Sequence, residues 1–187
     1  MASEDNVQTQ LKDRLNNDHF HIATVMNALD KMFAAFPDED IDWNAVSDML
    51  SYLQEYPDTV HHPLEDQLFD RVLDKGLTPA ERELVHTNLA QHAEIISATL
   101  RLDQDVNQIL NDTVVPIGKV LEDFERYIEL QRTHMRNENT HLFPLAQRLL
   151  TEEDWRDVEA EYASHVDPMF ALKQGKFASL FEYITEG

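Results

Sequence analysis

The stretch HMRNENTHLFP, running from His134 to Pro144, sets His134 and Glu138 four residues apart. On an α-helix that spacing puts both side chains on one face, one turn apart. A second stretch, HHPLEDQLF from His61 to Phe69, repeats the device with His61 and Glu65. Imidazole and carboxylate offered twice from helix faces suit a site for one or two first-row metal ions. The rest of the chain is read by asking whether it brings the two pairs together.

The chain has 187 residues, enough for a single domain with a sizeable core. It has no cysteine, which excludes disulfides, Cys-ligated zinc, haem thiolate and iron–sulfur clusters. Any metal is therefore held by His, Asp or Glu. The net charge of −21 speaks against nucleic acid or an anionic membrane as partner. No apolar run reaches the ~18–20 residues of a membrane span. The polar start MASEDNVQTQ lacks the order of a signal peptide. These features lead us to expect a soluble, cytoplasmic protein. Glycine occurs only four times and long helical periods dominate, so the class is all-α.

Outward from the two motifs, the pattern predicts four long helices. The first spans about 7–36, with the seam Leu15, His19, Ile22, Met26, Leu29, Phe33. Asp42 is the expected N-cap of the second, about 43–73, which Pro57 and Pro63 should bend or break. Thr78, Pro79 and Glu81 open the third, about 79–110, whose seam carries His92. The fourth, about 117–150, carries Tyr127, Gln131, His134, Glu138 and His141 along one seam. A shorter helix opens at Thr151, and Asp167 with Pro168 opens a last one. The expected architecture is one domain over residues 1–187. It is an up-down-up-down four-helix bundle over about 7–150, with a helical extension over about 151–187.

Short turns make consecutive helices antiparallel neighbours, so depth can be counted from each turn. His19 lies about 17 residues before the first turn and His61 about 19 after it; at ~1.5 Å per residue they differ by only ~3 Å. Glu65 and His61 lie about 10 and 14 residues before the second turn, and His92 about 13 after it. Across the third turn His92 and His134 are about 18 and 19 residues away. Every helix thus delivers a histidine at one height, and two add a glutamate. Any one histidine on an apolar stripe ordinarily just hydrogen-bonds. Four of them with two glutamates, and no lysine or arginine to compensate, would be costly without a cation among them. Bridging carboxylates and imidazoles on a bundle favour a di-iron or di-manganese pair over the four ligands of a closed zinc site.

The ordered set NDHFHI, HHPLEDQLF, LAQHAEI, HMRNENTHLFPLAQ and LTEEDW resembles the hemerythrin-like, or HHE cation-binding, domain over about residues 10–155. The resemblance implies a four-helix bundle holding two non-haem iron ions, with zinc or manganese as lesser alternatives. It places the ligands at His19, His61, Glu65, His92, His134 and Glu138, the glutamates bridging. His62 and His141 are further candidates: His62 in place of His61 if Pro63 shifts the helix phase, His141 as a seventh ligand or an outer partner. The chain departs from oxygen-carrying hemerythrins. Those have a second histidine four residues from the one on the third helix, where this chain has Asn88 and Ile96, and an aspartate bridge where it has Glu138. The pattern is closer to bacterial HHE proteins and to the iron-sensing HHE domain of an F-box protein. The function so implied is binding or sensing of O2, NO, peroxide or iron. The alternative is an enzyme reducing peroxide, O2 or NO, or an iron donor in iron–sulfur repair. A small diatomic or peroxide is the expected partner, and a homodimer is compatible with the sequence.

Overall fold

The computed structural model describes residues 7–168 and 177–186. Among them the ordered elements are all helical, in the order α1 (Val7–Ala35), α2 (Trp43–Glu55), a first π-turn (Pro57–His61), α3 (His62–Leu73), α4 (Pro79–Leu110), α5 (Ile117–Asn137), a second π-turn (Glu138–Leu142), α6 (Phe143–Leu149), α7 (Glu152–Tyr162) and α8 (Ala178–Glu186). Four rods make a bundle: α1, α2 with α3, α4, and α5 with α6. No helix among the described residues is long and apolar enough to cross a membrane.

The helix starts follow the sequence. Asp42 accepts hydrogen bonds from the backbone N–H groups of Asn44 and Ala45. Thr78 with Glu81 forms a complete capping box, and so does Thr151 with Asp154. Each satisfies N–H groups that a helix start would otherwise leave without partners. The last helix departs from expectation. Asp167 and Pro168 are not helical, and α8 begins at Ala178. A start between 169 and 176 lies outside the described residues.

The second and fourth rods are not single α-helices. In the first π-turn the Tyr56 carbonyl accepts from both Val60 and His61, at 2.8 and 3.2 Å, and His62 N–H reaches back to the Pro57 carbonyl. In the second, Phe143 N–H bonds to the Glu138 carbonyl. Two residues after each π-turn ends stands a proline, Pro63 or Pro144. Each also holds a threonine four residues before that proline. Thr59 donates to the Glu55 carbonyl at 2.6 Å, and Thr140 to the Arg136 carbonyl at 2.6 Å. Proline offers no N–H, so the widened turn absorbs the missing bond and the rod carries on.

The apolar interior falls into two clusters. One contains Ile22, Met26, Leu50, Leu53, Ile95 and Phe124, the other Leu11, Leu15, Leu64, Leu68, Phe143 and Trp155. Between them, at mid-bundle, lies a layer of buried histidines and glutamates. Helix α7 seals the second cluster by burying Trp155, Val158 and Tyr162.

Candidate metal centre

Seven buried side chains meet in this layer. His19 comes from α1, His61 from the end of the first π-turn, and His62 and Glu65 from the start of α3. His92 comes from α4, His134 from α5, and Glu138 opens the second π-turn. Both glutamates are completely buried. Ligand atoms of His62, His92 and His134 lie within 4.8 Å of one another, as do those of His19, His61 and Glu65. Glu65 and Glu138 also group with His92 and His134 within the same limit, so the carboxylates stand between two histidine sets.

The ring nitrogens are sorted by direction. His19 Nε2 is 3.2 Å from both Glu65 Oε1 and Glu138 Oε2. His61 Nε2 is 3.3 Å from Glu65 Oε2, and His134 Nε2 is 3.1 Å from Glu138 Oε1. His92 Nε2 is 3.5 Å from Glu65 Oε2 and 3.4 Å from Glu138 Oε1. The Nδ1 atoms face outer partners: Asn139 Oδ1 at 3.1 Å for His19, Asp18 Oδ2 at 3.2 Å for His61, and Asp66 Oδ1 at 2.6 Å for His92. His62 Nδ1 is 3.4 Å from Asp58 Oδ1, an ion-pair distance without hydrogen-bond alignment. His134 Nδ1 meets the Asn88 amide nitrogen at 3.1 Å and Gln91 Oε1 at 3.4 Å. Turning the Asn88 amide over would bring Asn88 Oδ1, which is buried without a partner, onto that nitrogen. An oxygen acceptor at Nδ1 fixes the proton there and leaves the Nε2 lone pair directed inward.

Without a metal, the carboxylates act on the same rings. Burial lowers the pKa of His19, but hydrogen bonds with Glu138 and Glu65 outweigh it and raise it to about 10. For His92, burial is outweighed by hydrogen bonds to Asp66, Glu138 and Glu65, and the pKa rises to about 11. Burial pushes Glu65 upward, yet the surrounding histidines hold it well below the usual carboxylate range. Glu138 is also held low, against burial and the repulsion of Glu65. Burial pushes His62 and His134 down, helped by neighbouring histidines. In the metal-free protein the raised pKa values of His19 and His92 set positive charge against Glu65 and Glu138.

That balance is incomplete as hydrogen bonding. Glu65 Oε2, Glu138 Oε2 and His134 Nε2 are buried and have no aligned partner, although histidine nitrogens stand close by. Buried acceptors so placed are costly unless a cation satisfies them. The donor set of imidazoles and carboxylates fits a first-row metal pair.

All six residues from the sequence reading meet here. His62 joins them beside His61 instead of replacing it, because the first π-turn shifts the helix phase and buries both rings. The local signal was the pair of prolines around HH, with Thr59 four residues before the second. His141 is exposed and lies outside the cluster. A π-turn advances each residue by less than the ~100° of an α-helix, so three residues past Glu138 do not return to its face. Tyr127 and Gln131 bond each other at 3.0 Å, and Tyr127 also bonds Thr99 at 3.0 Å, instead of reaching a site group.

A polar network extends outward from His61. Asp18 accepts from Tyr56 Oη at 3.2 Å as well as from His61. Ligand atoms of Asp18, His21 and Asp167 lie within 4.8 Å of one another, and Asp167 takes hydrogen bonds from Tyr52 at 2.7 Å and His21 at 3.0 Å.

The family model described as hemerythrin HHE cation binding domain matches residues 11–146. No curated protein and no solved structure matches the chain. The matched span contains all seven converging residues and both π-turns, and it makes up most of the chain. By that match, and by the histidine–glutamate layer across its bundle, the chain belongs to the hemerythrin HHE cation-binding family.

Proposed function

We propose that the chain is a non-haem di-iron protein that binds or senses O2, NO, peroxide or iron. One ion would be held by His62, His92 and His134, the other by His19 and His61, with Glu65 and Glu138 shared between them. The observation that carries this reading is the convergence of seven buried imidazole and carboxylate side chains, with Glu65 and Glu138 between the two histidine sets. Two iron ions so held supply one-electron chemistry and coordination positions for a small ligand. The chain's own part is to hold them, fix each histidine's tautomer from outside, and exclude bulk water.

The test is metal content, with an optical spectrum taken anaerobically and then in air, on protein from iron-replete cells. The expected result is about two irons per chain, as for other carboxylate-bridged bundle sites, and a spectrum that changes with O2, peroxide or NO. Absence of iron, or a single zinc in a closed site, would overturn the reading. Sustained consumption of peroxide, O2 or NO by the loaded protein would move the assignment to an enzyme.

A further inference from the structure

A depression of about 480 Å³ opens on the bundle surface between α1 and the second π-turn, and His19 forms part of its wall. Asn139, exposed on that π-turn, covers the outer edge of the ring through its bond to His19 Nδ1. The inner nitrogen of the same ring, His19 Nε2, lies 3.2 Å from both Glu65 Oε1 and Glu138 Oε2. Phe20, 69% exposed, Ala23 and Met135 supply apolar walls. Two arginines complete the lining, Arg132 and Arg136. Arg132 is engaged by Asp30 and Asn27 at 2.9 Å each. Arg136 is exposed, bonds the Thr133 hydroxyl at 2.9 Å, and forms no ion pair among the described residues.

The charge at this point opposes that of the whole. The chain carries 36 acidic and 15 basic residues, so its long-range field repels anions. Arg136, in no ion pair among the described residues, sets a positive charge beside His19 at the wall of the depression. We infer that this depression is the access route to the metal pair, with Asn139 as its latch, and that Arg136 steers small monovalent anions into it. The inference rests on the di-iron reading and adds the route and the residue that steers along it.

The sign of the salt dependence separates steering from its absence. Salt screens attraction and repulsion alike. An anion drawn by Arg136 therefore binds more slowly as salt rises, whereas one that meets only the net field of the chain binds faster. The probe is azide, mixed in a stopped flow with the iron-loaded full chain, and the readout is the rate of the absorbance change. The expected rate falls with salt. Arg136→Glu should slow it by about tenfold or more at low salt and reverse the slope, within the range such steering gives. Nitric oxide, being neutral, should bind the reduced protein at a rate that neither salt nor Arg136→Glu alters. Asn16→Trp, which plugs the depression from an exposed position on α1, should slow both probes while iron content is kept. A rate that rises with salt in the parent chain, or an unchanged azide rate in both variants, overturns the inference and leaves the metal site standing. A parent chain without iron overturns the di-iron reading instead.

Discussion

Each site histidine is defined by what holds its outer nitrogen as much as by its place in the layer. Asp18, Asp58, Asp66, Asn88 and Asn139 come from four different rods, and each faces an Nδ1 atom. Among the histidines, His62 is the sharpest test. His62→Ala should bring iron from about two to about one per chain, because it removes one of the three imidazoles on its side. His141→Ala, at an exposed position, should leave iron content unchanged. Iron analysis of the two purified variants decides. The titrating groups set a pH optimum for the metal-free protein. His19 and His92 have raised pKa values, so their stabilisation is complete below the ordinary histidine value of 6.5 and is lost as pH climbs toward about 10 and 11. His62 and His134 have lowered values, so protonation favours the unfolded chain and stability falls as pH drops below 6.5. Glu65 and Glu138, also lowered, add a further loss below the ordinary carboxylate value of 4.5. The melting temperature of metal-free protein should peak near pH 6.5 and decline on both sides. A peak above pH 9 would contradict these protonation states.

At the scale of the element, the two π-turns do matching work. Each ends two residues before a proline, and its second residue, Asp58 or Asn139, faces the Nδ1 of a site histidine, His62 or His19. The extra residue per turn is what allows His61, His62 and Glu65 to face inward together. Thr59 is exposed, so deleting it removes the extra residue without opening a cavity. The deletion should return the turn to α-helical phase and rotate α3, with His62 and Glu65, relative to α2. Far-ultraviolet circular dichroism should show helicity retained, while bound iron falls below one per chain. A deletion variant that still holds two irons would show that the π-turn is not what places the ligands.

Across the whole molecule, a buried layer of histidines and glutamates lies between two apolar clusters. Helix α7 lies beyond the span of the family match and buries Trp155 against the cluster beneath the site. Trp155→Ala should lower stability by about 3–5 kcal/mol, the usual cost of truncating a buried tryptophan. Thermal melts of iron-loaded protein should show a clear fall in Tm with iron content unchanged, since Trp155 touches no site residue through any hydrogen bond.

The helical class, the four rods, their caps and the level of His19, His61, Glu65, His92, His134 and Glu138 were legible in the sequence. Periodicity, capping residues and residue counts between turns are local quantities, and short turns convert them into depth. Three things were decided by the tertiary structure. His62 joins the layer beside His61 because a π-turn absorbs the missing N–H of Pro63, and that depends on hydrogen bonds spanning five residues. His141 turns outward because the same device at Glu138 breaks the α-helical phase that counting assumes. The outer partners Asp18, Asp66, Asn88 and Asn139 were invisible in the chain, because each meets its histidine across the bundle, from a different rod, where no spacing along the sequence records the contact.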